Sequence, residues 1–224
     1  MPEPGSRCQA YRSGKMLVAK SESLDCHTNY GNRISCIWYN GSDDGNSSFV
    51  LNLIENNYGD EMTCNLVSSM YVESFNCDIT GLDLDEMDNY KITVRDSSST
   101  KDLAIIEVFY PRCNIKLDPP SDLWYNFTGT AYNIKWKGNN AFDGFPKIYF
   151  ELQLKKEASN QKTIKTDISV TYAEIMLFEF DEGSNYIQIR SRTDNEGQYR
   201  SHWSEWSSEL EIHVLGIVLS LCLF

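Results

Sequence analysis

The segment Trp203-Ser204-Glu205-Trp206-Ser207, near the C-terminus, decides the fold of this chain. Its two tryptophans are three residues apart, so they cannot share one face of a β-strand, whose side chains alternate with a period of two. They do share a face in polyproline II geometry, which turns every three residues and rises about 3.1 Å per residue. The two indole rings would then stand roughly 9 Å apart, and one planar cation would fit between them.

A cation for this slot lies upstream, in residues 186–192. The alternation of this segment places its isoleucines on the core face of a strand and its polar side chains on the other face. The polar face carries Gln188, Arg190 and Arg192. The arginines are predicted to enter the tryptophan slots, and each cation–π contact is worth about 0.5–2 kcal/mol. The alternative is a loop that carries two surface tryptophans.

Length and charge limit the class of protein. A chain of 224 residues fits two domains better than one, since a typical domain has about 100–150 residues. The chain has 20 Lys and Arg against 32 Asp and Glu, and its net charge of −12 disfavours nucleic acid as a partner. A basic protein ligand is compatible with this charge, although acidity alone usually serves solubility.

The cysteines and sequons predict an extracellular chain. Seven cysteines without a Cys-x-x-Cys pair indicate disulfides rather than zinc, and no metal or other cofactor is predicted. The count of cysteines leaves their pairing open. Three N-x-[ST] sequons, at Asn40, Asn46 and Asn126, predict N-glycosylation and a secreted protein or an ectodomain.

Both ends of the chain carry segments of uncertain role. Residues 1–22 contain only a short apolar run at residues 16–19, whereas a secretory signal needs about 7–15 apolar residues. Residues 215–224 form an apolar tail about ten residues shorter than a bilayer span. We interpret the tail as the start of a transmembrane helix or as the end of a soluble splice form; an extra buried strand is the less favoured alternative.

Alternating apolar residues predict short strands, and no segment of the first half has a convincing helical period. The first half carries the sets Ile34, Cys36 and Trp38; Phe49, Leu51 and Leu53; Tyr90, Ile92 and Val94; and a strand over residues 103–109. The second half carries Tyr132, Ile134 and Trp136; Ile148, Phe150, Leu152 and Leu154; and strands over residues 172–178, 186–192 and 210–214. Each half is therefore predicted to be a β-sandwich of about 100 residues.

The boundary between the halves is predicted at residues 114–120, because Pro119 and Pro120 fix an extended connection. The predicted domains are residues 23–116 and 117–214. An enzyme is not predicted, because the three histidines lie in separate contexts and no phosphate loop or nucleophile elbow is present. The acidic run at residues 83–88 lacks the pattern of an EF-hand, so it is either a solvated loop or a contact for a basic ligand.

The Trp-Ser-x-Trp-Ser box resembles the signature of the class I cytokine receptors, and the resemblance covers residues 26–214. Segments 26–36, 132–136 and 150–154, and the spacing from Gln188 through Tyr199 to Trp203, are most similar to the short-chain subgroup of the interleukin-21 and interleukin-2 receptors. Cys113, close to the linker, departs from the pattern of the class. The resemblance implies an all-β fold of two tandem fibronectin type III-like β-sandwiches, the cytokine receptor homology module.

The resemblance also implies a function. A short-chain four-helix cytokine, interleukin-21-like, would bind at the elbow between the two sandwiches, and JAK/STAT-type signalling would run through partner chains such as a common gamma-type co-receptor. The chain would be the extracellular part of a single-pass cell-surface protein or a secreted form. The alternatives are a soluble decoy and an adhesion module of tandem fibronectin type III domains. The box and the paired cysteines disfavour the adhesion module.

Specific residues follow from the resemblance. It implies disulfides Cys26–Cys36 and Cys64–Cys77, and we predict that Cys8 pairs with Cys113 while Cys222 has no evident partner. The positions carried over as ligand-binding are Tyr30, Tyr58, Asp60, Glu61, Asp85, Glu86, Met87, Asp88, Phe142, Phe145 and Tyr199. The box is predicted to be structural, through Arg190, Arg192, Trp203, Ser204, Trp206 and Ser207. Gln153 and Lys155 are candidates to extend the stack, although a lysine such as Lys155 is more often a solvated surface residue.

Overall fold

The structure is a computed structural model that describes residues 23–39, 48–56, 59–69, 74–84, 89–138, 147–194 and 199–215. Within these ranges the regular elements are β-strands, apart from two short 3-10 turns at Pro111–Cys113 and Leu177–Glu179. The described residues form two units: those up to Leu117 together with Thr193–His202, and those of Asp118–Arg192 together with the segment from Trp203 onward. The predicted all-β fold of tandem sandwiches is confirmed.

Each unit contains two sheets. The strands of the first half are β1 (Leu24–Thr28), β2 (Arg33–Tyr39), β3 (Phe49–Glu55), β4 (Glu61–Asn65), β5 (Val67–Ser68), β6 (Ser74–Thr80), β7 (Tyr90–Asp96), β8 (Asp102–Phe109) and β9 (Ile115–Lys116). Those of the second half are β10 (Ser121–Phe127), β11 (Ala131–Lys137), β12 (Ile148–Lys156), β13 (Lys162–Ile168), β14 (Tyr172–Met176), β15 (Gly183–Thr193), β16 (Ser201–His202) and β17 (Leu210–Val214).

The first unit packs a sheet of order β16-β9-β1-β2-β6-β5 against a sheet of order β4-β3-β7-β8. The alternation of β2 buries Ile34, Cys36 and Trp38, as the sequence predicts. Trp38 meets Phe49 and Phe75 with ring centroids 4.8 Å and 5.6 Å apart. Because burying one large apolar side chain contributes about 1.5–3 kcal/mol, this aromatic cluster is a main support of the unit.

Two disulfides reinforce the first unit. Cys26 of β1 lies directly opposite Cys36 of β2 and is bonded to it. Cys64 of β4 is bonded to Cys77 of β6, and this bond joins the two sheets. These are the two pairs that the resemblance implies. Cys113 is also disulfide-bonded, and its predicted partner Cys8 lies outside the described residues, as does Cys222.

The second unit packs a sheet of order β10-β11-β14 against one of order β13-β12-β15-β17. Its core is built from alternating apolar residues on facing strands: Ile134, Trp136, Phe150, Leu152, Leu154, Ile175, Ile187, Ile189 and Ile212. The chain passes between the two sheets in the same succession as in the first unit, which is the arrangement of a fibronectin type III-like sandwich.

The strands that the sequence did not predict include β9, β10 and β13. β10 and β13 have almost no buried face, and their exposed positions give no period-two signal. β9 falls within the predicted linker, where it lies between β1 and β16 in parallel pairing, with Ile115 fully buried. The turn between Cys26 and Cys36 is short, because β1 continues to Thr28 and β2 begins at Arg33.

Candidate functional site

The serines of the box bond directly to the backbone of β15. Ser204 donates its backbone N–H to the carbonyl of Ser191 at 2.8 Å, and its Oγ accepts the N–H of Ser191 at 2.9 Å. Ser207 repeats both bonds with Ile189, at 2.8 Å and 3.0 Å. Each serine therefore pairs one N–H and one carbonyl of a buried strand. Either group would cost about 1–3 kcal/mol if it were buried without a hydrogen bond.

A ladder of alternating cations and rings runs along the outer face of this segment. The guanidinium of Arg190 lies 4.8 Å from the centroid of Trp203 and 4.5 Å from that of Trp206. Arg192 lies 4.6 Å from Trp203, and Lys162 of β13 lies 6.0 Å from Trp206. We call the five side chains Arg192, Trp203, Arg190, Trp206 and Lys162 the ladder.

Glu151 balances the charge at the centre of the ladder. Its Oε2 accepts hydrogen bonds from Nε and Nη2 of Arg190, at 2.7 Å and 2.5 Å. The side chain of Glu151 is 12% exposed and that of Arg190 27%, so the pair is partly shielded from water. Sequence reasoning missed Glu151, although the alternation of β12 puts it on the outward face, next to the core residues Phe150 and Leu152.

The two candidates for extending the stack occupy neighbouring positions. The ammonium of Lys155 lies 5.9 Å from the ring of Tyr186, a different ring from those of the box. The side chain of Gln153 donates to Oε1 of Gln188 at 3.4 Å, and Gln188 in turn donates to the carbonyl of Ser207 at 3.0 Å. The cation that stacks on Trp206 at the end of the ladder is instead Lys162 of β13, a strand that the sequence did not predict.

The serine pattern begins one repeat earlier than the box. The Oγ of Ser201 accepts the backbone N–H of Thr193 at 3.1 Å, within the first unit. Ser201 is 7% exposed, similar to the box serines Ser204 and Ser207, which are 4% exposed. Serines at every third position, Ser201, Ser204 and Ser207, are the sequence signal for this repeat.

Two of the candidate ligand-binding tyrosines are in contact within the first unit. The rings of Tyr30 and Tyr199 meet edge to face, with centroids 5.7 Å apart. Tyr30 has a φ of 57° and donates its backbone N–H to Oγ1 of Thr28 at 2.9 Å. Tyr30 is only 3% exposed, so its side chain supports Tyr199 rather than facing solvent, whereas Tyr199 is partly exposed.

Of the acidic candidates, Asp60 and Glu61 lie within the described residues. Asp60 and Glu61 are both exposed where β4 begins, and the carbonyl of Asp60 accepts the N–H of Glu55 at 2.9 Å. The other candidates lie outside the described residues: Tyr58, Asp85, Glu86, Met87, Asp88, Phe142 and Phe145. Their roles stay predictions. Of the three sequons, Asn126 is exposed on β10, and Asn40 and Asn46 are likewise outside the described part of the chain.

Comparison with curated proteins finds two cytokine receptors. The interleukin-9 receptor of Mus musculus is 32% identical over 134 residues, which cover 54% of this chain and 29% of the receptor. The interleukin-9 receptor of Homo sapiens is 31% identical over 134 residues, covering 54% of this chain and 26% of the receptor. The similarity supports a class I cytokine receptor. No protein-family model matches the chain.

The matched region spans less than a third of the length of these relatives. Because the relatives are receptors, the prediction that the chain is not an enzyme is confirmed.

In the described ranges, no helix is long and apolar enough to cross a membrane, and no cluster of three or more His, Cys, Asp or Glu side chains could hold a metal ion.

Proposed function

We propose that this chain is the ligand-binding ectodomain of a class I cytokine receptor and that its ligand is a short-chain four-helix cytokine. The similarity to the interleukin-9 receptors carries the proposal. It makes an interleukin-9-like cytokine a candidate beside the interleukin-21-like one that the box and its flanking segments suggest. A common gamma-type co-receptor and JAK/STAT-type signalling belong to the same proposal, as does a place at the cell surface or as a secreted form.

The ladder supports a structural rather than a binding role for the box. Both tryptophans already hold a cation on their faces, and Arg190 is hydrogen-bonded to Glu151. A ligand that used these rings would have to displace contacts worth about 0.5–2 kcal/mol each. The serines of the box are committed to the backbone of β15. We therefore assign ligand binding to the loops and not to the box.

The first unit carries one aromatic and two acidic candidates for contact with such a ligand. Tyr199 is held edge to face by the buried Tyr30, which reduces the conformational entropy it would lose on binding. Tyrosines of this kind are common hot spots in protein interfaces. The exposed carboxylates of Asp60 and Glu61, in a chain of net charge −12, suit a basic partner that is attracted over a distance.

The soluble decoy would use the same binding chemistry, so it is a variant of this proposal rather than a rival. An adhesion module is the rival from another class, and it shares the fold. Similarity to two cytokine receptors favours the receptor. The two functions differ in their ligands, because only the receptor binds a helical cytokine in saturable fashion.

The proposal is tested with the whole chain, secreted behind a heterologous leader and immobilised on a biosensor. We expect saturable binding of interleukin-9, interleukin-21 or interleukin-2, and a loss of at least tenfold in affinity in Tyr199→Ala, or about 1.4 kcal/mol. Tyr39→Ala is the matched control, since Tyr39 is 47% exposed at the end of β2 and is not a candidate contact. Equal affinity in both variants would remove Tyr199 from the binding surface.

A further inference from the structure

A groove opens on the outer face of the three-stranded sheet of the second unit. It has a volume of about 510 Å³ and is lined by Trp124, Tyr125, Asn126, Asn133, Lys135 and Tyr172. Volumes of about 300–1,000 Å³ are usual for sites that hold small ligands. We call it the β10–β11–β14 groove.

The strand register places five of the six lining residues in two cross-strand rows. Trp124 of β10 lies opposite Lys135 of β11, and Lys135 lies opposite Tyr172 of β14. In the next row Asn126 lies opposite Asn133. Directly opposite residues project from the same face, and Lys135 points away from the core because its neighbours Ile134 and Trp136 are buried.

Two of the three aromatic residues of the groove are half exposed or more, although they lie on one cross-strand row. Trp124 is 50% exposed and Tyr172 is 56% exposed. The ammonium of Lys135 lies 5.0 Å from the Trp124 ring, so a hydrogen-bond donor stands beside the aromatic surface. Clustered exposed rings with a polar group between them are typical of a surface that something covers.

The sequence also indicates what covers it. Asn126 begins the sequon Asn126-Phe127-Thr128, is exposed, and itself lines the groove. Trp124 is two residues earlier on the same face of β10, a distance of about 7 Å along a strand. A glycan on Asn126 would therefore start inside the groove, within one sugar length of the tryptophan.

We infer that the N-glycan of Asn126 folds back onto its own sheet and packs its first sugars in the β10–β11–β14 groove. The C–H groups of a pyranose face carry partial positive charge and are attracted by the negative face of an aromatic ring. Trp124 and Tyr172 supply such rings. Lys135 can donate to a sugar hydroxyl or to the acetamido carbonyl of an N-acetylglucosamine. The packed glycan would also shield β10, an edge strand that could otherwise pair with another chain.

The test is a double-mutant cycle on the whole secreted chain, with Asn126→Gln and Trp124→Ala. Removing a glycan also changes the unfolded state, so only the part of its effect that depends on Trp124 reports packing. We expect Asn126→Gln to lower the Tm of the wild type by roughly 2–8 °C, and by less than half as much in the Trp124→Ala background. Phe178→Ala is the control, because Phe178 is 81% exposed next to β14 and does not line the groove. It should leave the glycan effect unchanged.

NMR of the labelled glycan gives a second readout that does not depend on stability. Stacking on Trp124 shifts sugar or acetamido resonances upfield through the ring current, and Trp124→Ala should abolish the shift. Additive Tm changes with no such shift would overturn the inference. The inference would also be overturned if peptide mass mapping found no glycan on Asn126. A third outcome would also overturn the inference and assign the groove to a second copy of the chain. In that case the Asn126→Gln chain would self-associate, Trp124→Ala would abolish the self-association, and the glycosylated chain would show no ring-current shift.

Discussion

Removing Arg190, the central cation of the ladder, is expected to lower the Tm of the second unit markedly. Arg190 contacts two indole rings, and at its partial exposure each contact is worth about 1 kcal/mol. Its hydrogen-bonded pair with Glu151 adds about 1 kcal/mol, a modest value because solvent partly screens the charges. Arg190→Ala should therefore cost about 3 kcal/mol, and slightly more because Glu151 keeps its charge without a partner.

The comparison with Arg192→Ala makes this prediction specific. Among the described residues Arg192 stacks on one ring, that of Trp203, so its removal should cost only about 1 kcal/mol. For a unit of this size each kcal/mol lowers Tm by about 4–8 °C, and calorimetry of the secreted chains can resolve the difference. Arg190→Lys should fall between the two variants, since it keeps the charge but loses the planar, two-bond contact.

Equal Tm values for Arg190→Ala and Arg192→Ala would refute the reasoning, because the double stacking and the pair with Glu151 would then contribute nothing. The secretion yield should fall along with Tm, whereas the folded fraction should keep its affinity for cytokine. A variant that folds normally and loses the cytokine would instead make the box a binding surface.

Three further predictions concern other parts of the chain. Amides in place of the acids of residues 85–88 should leave Tm nearly unchanged but slow cytokine association and flatten its salt dependence; unchanged association kinetics would make the run a solvated loop. Non-reducing peptide mapping should find Cys64 bonded to Cys77, and replacing both with alanine should cost about 3 kcal/mol of unfolding free energy; free thiols there would argue against an extracellular chain. Burial, aided by Lys116, lowers the pKa of His27. Stability should therefore be full above the ordinary histidine pKa and fall as the pH drops below it, and His27→Gln should reduce that fall in pH-dependent denaturation.

The sequence predicted the parts of the fold that have one buried face. Period-two alternation located β2, β3, β7 and β11, whose apolar sets are buried in the structure. It could not locate β10 or β13, because their residues are exposed on both faces and carry no alternating signal. Such strands are held by backbone pairing with a neighbour, which a local pattern does not reveal.

The ladder was predictable for the side chains of the box and of β15, and not for those that β12 and β13 contribute. Spacing of three in the box and of two in β15 is enough to bring Arg190 between the tryptophans. Glu151 and Lys162 join it from strands far away in sequence, and their pairing depends on the register of the sheet. Burial of Tyr30 was equally hidden, since it lies in a polar turn and its partner Tyr199 is distant in the chain.

Titration of the immobilised chain with interleukin-9 and interleukin-21 tests the central claim most directly. The account predicts saturable, salt-sensitive binding of at least one of these cytokines, with the same affinity in the folded fraction of Arg190→Ala. Correctly folded, disulfide-bonded chain that binds neither cytokine, nor any other short-chain four-helix cytokine, would contradict it.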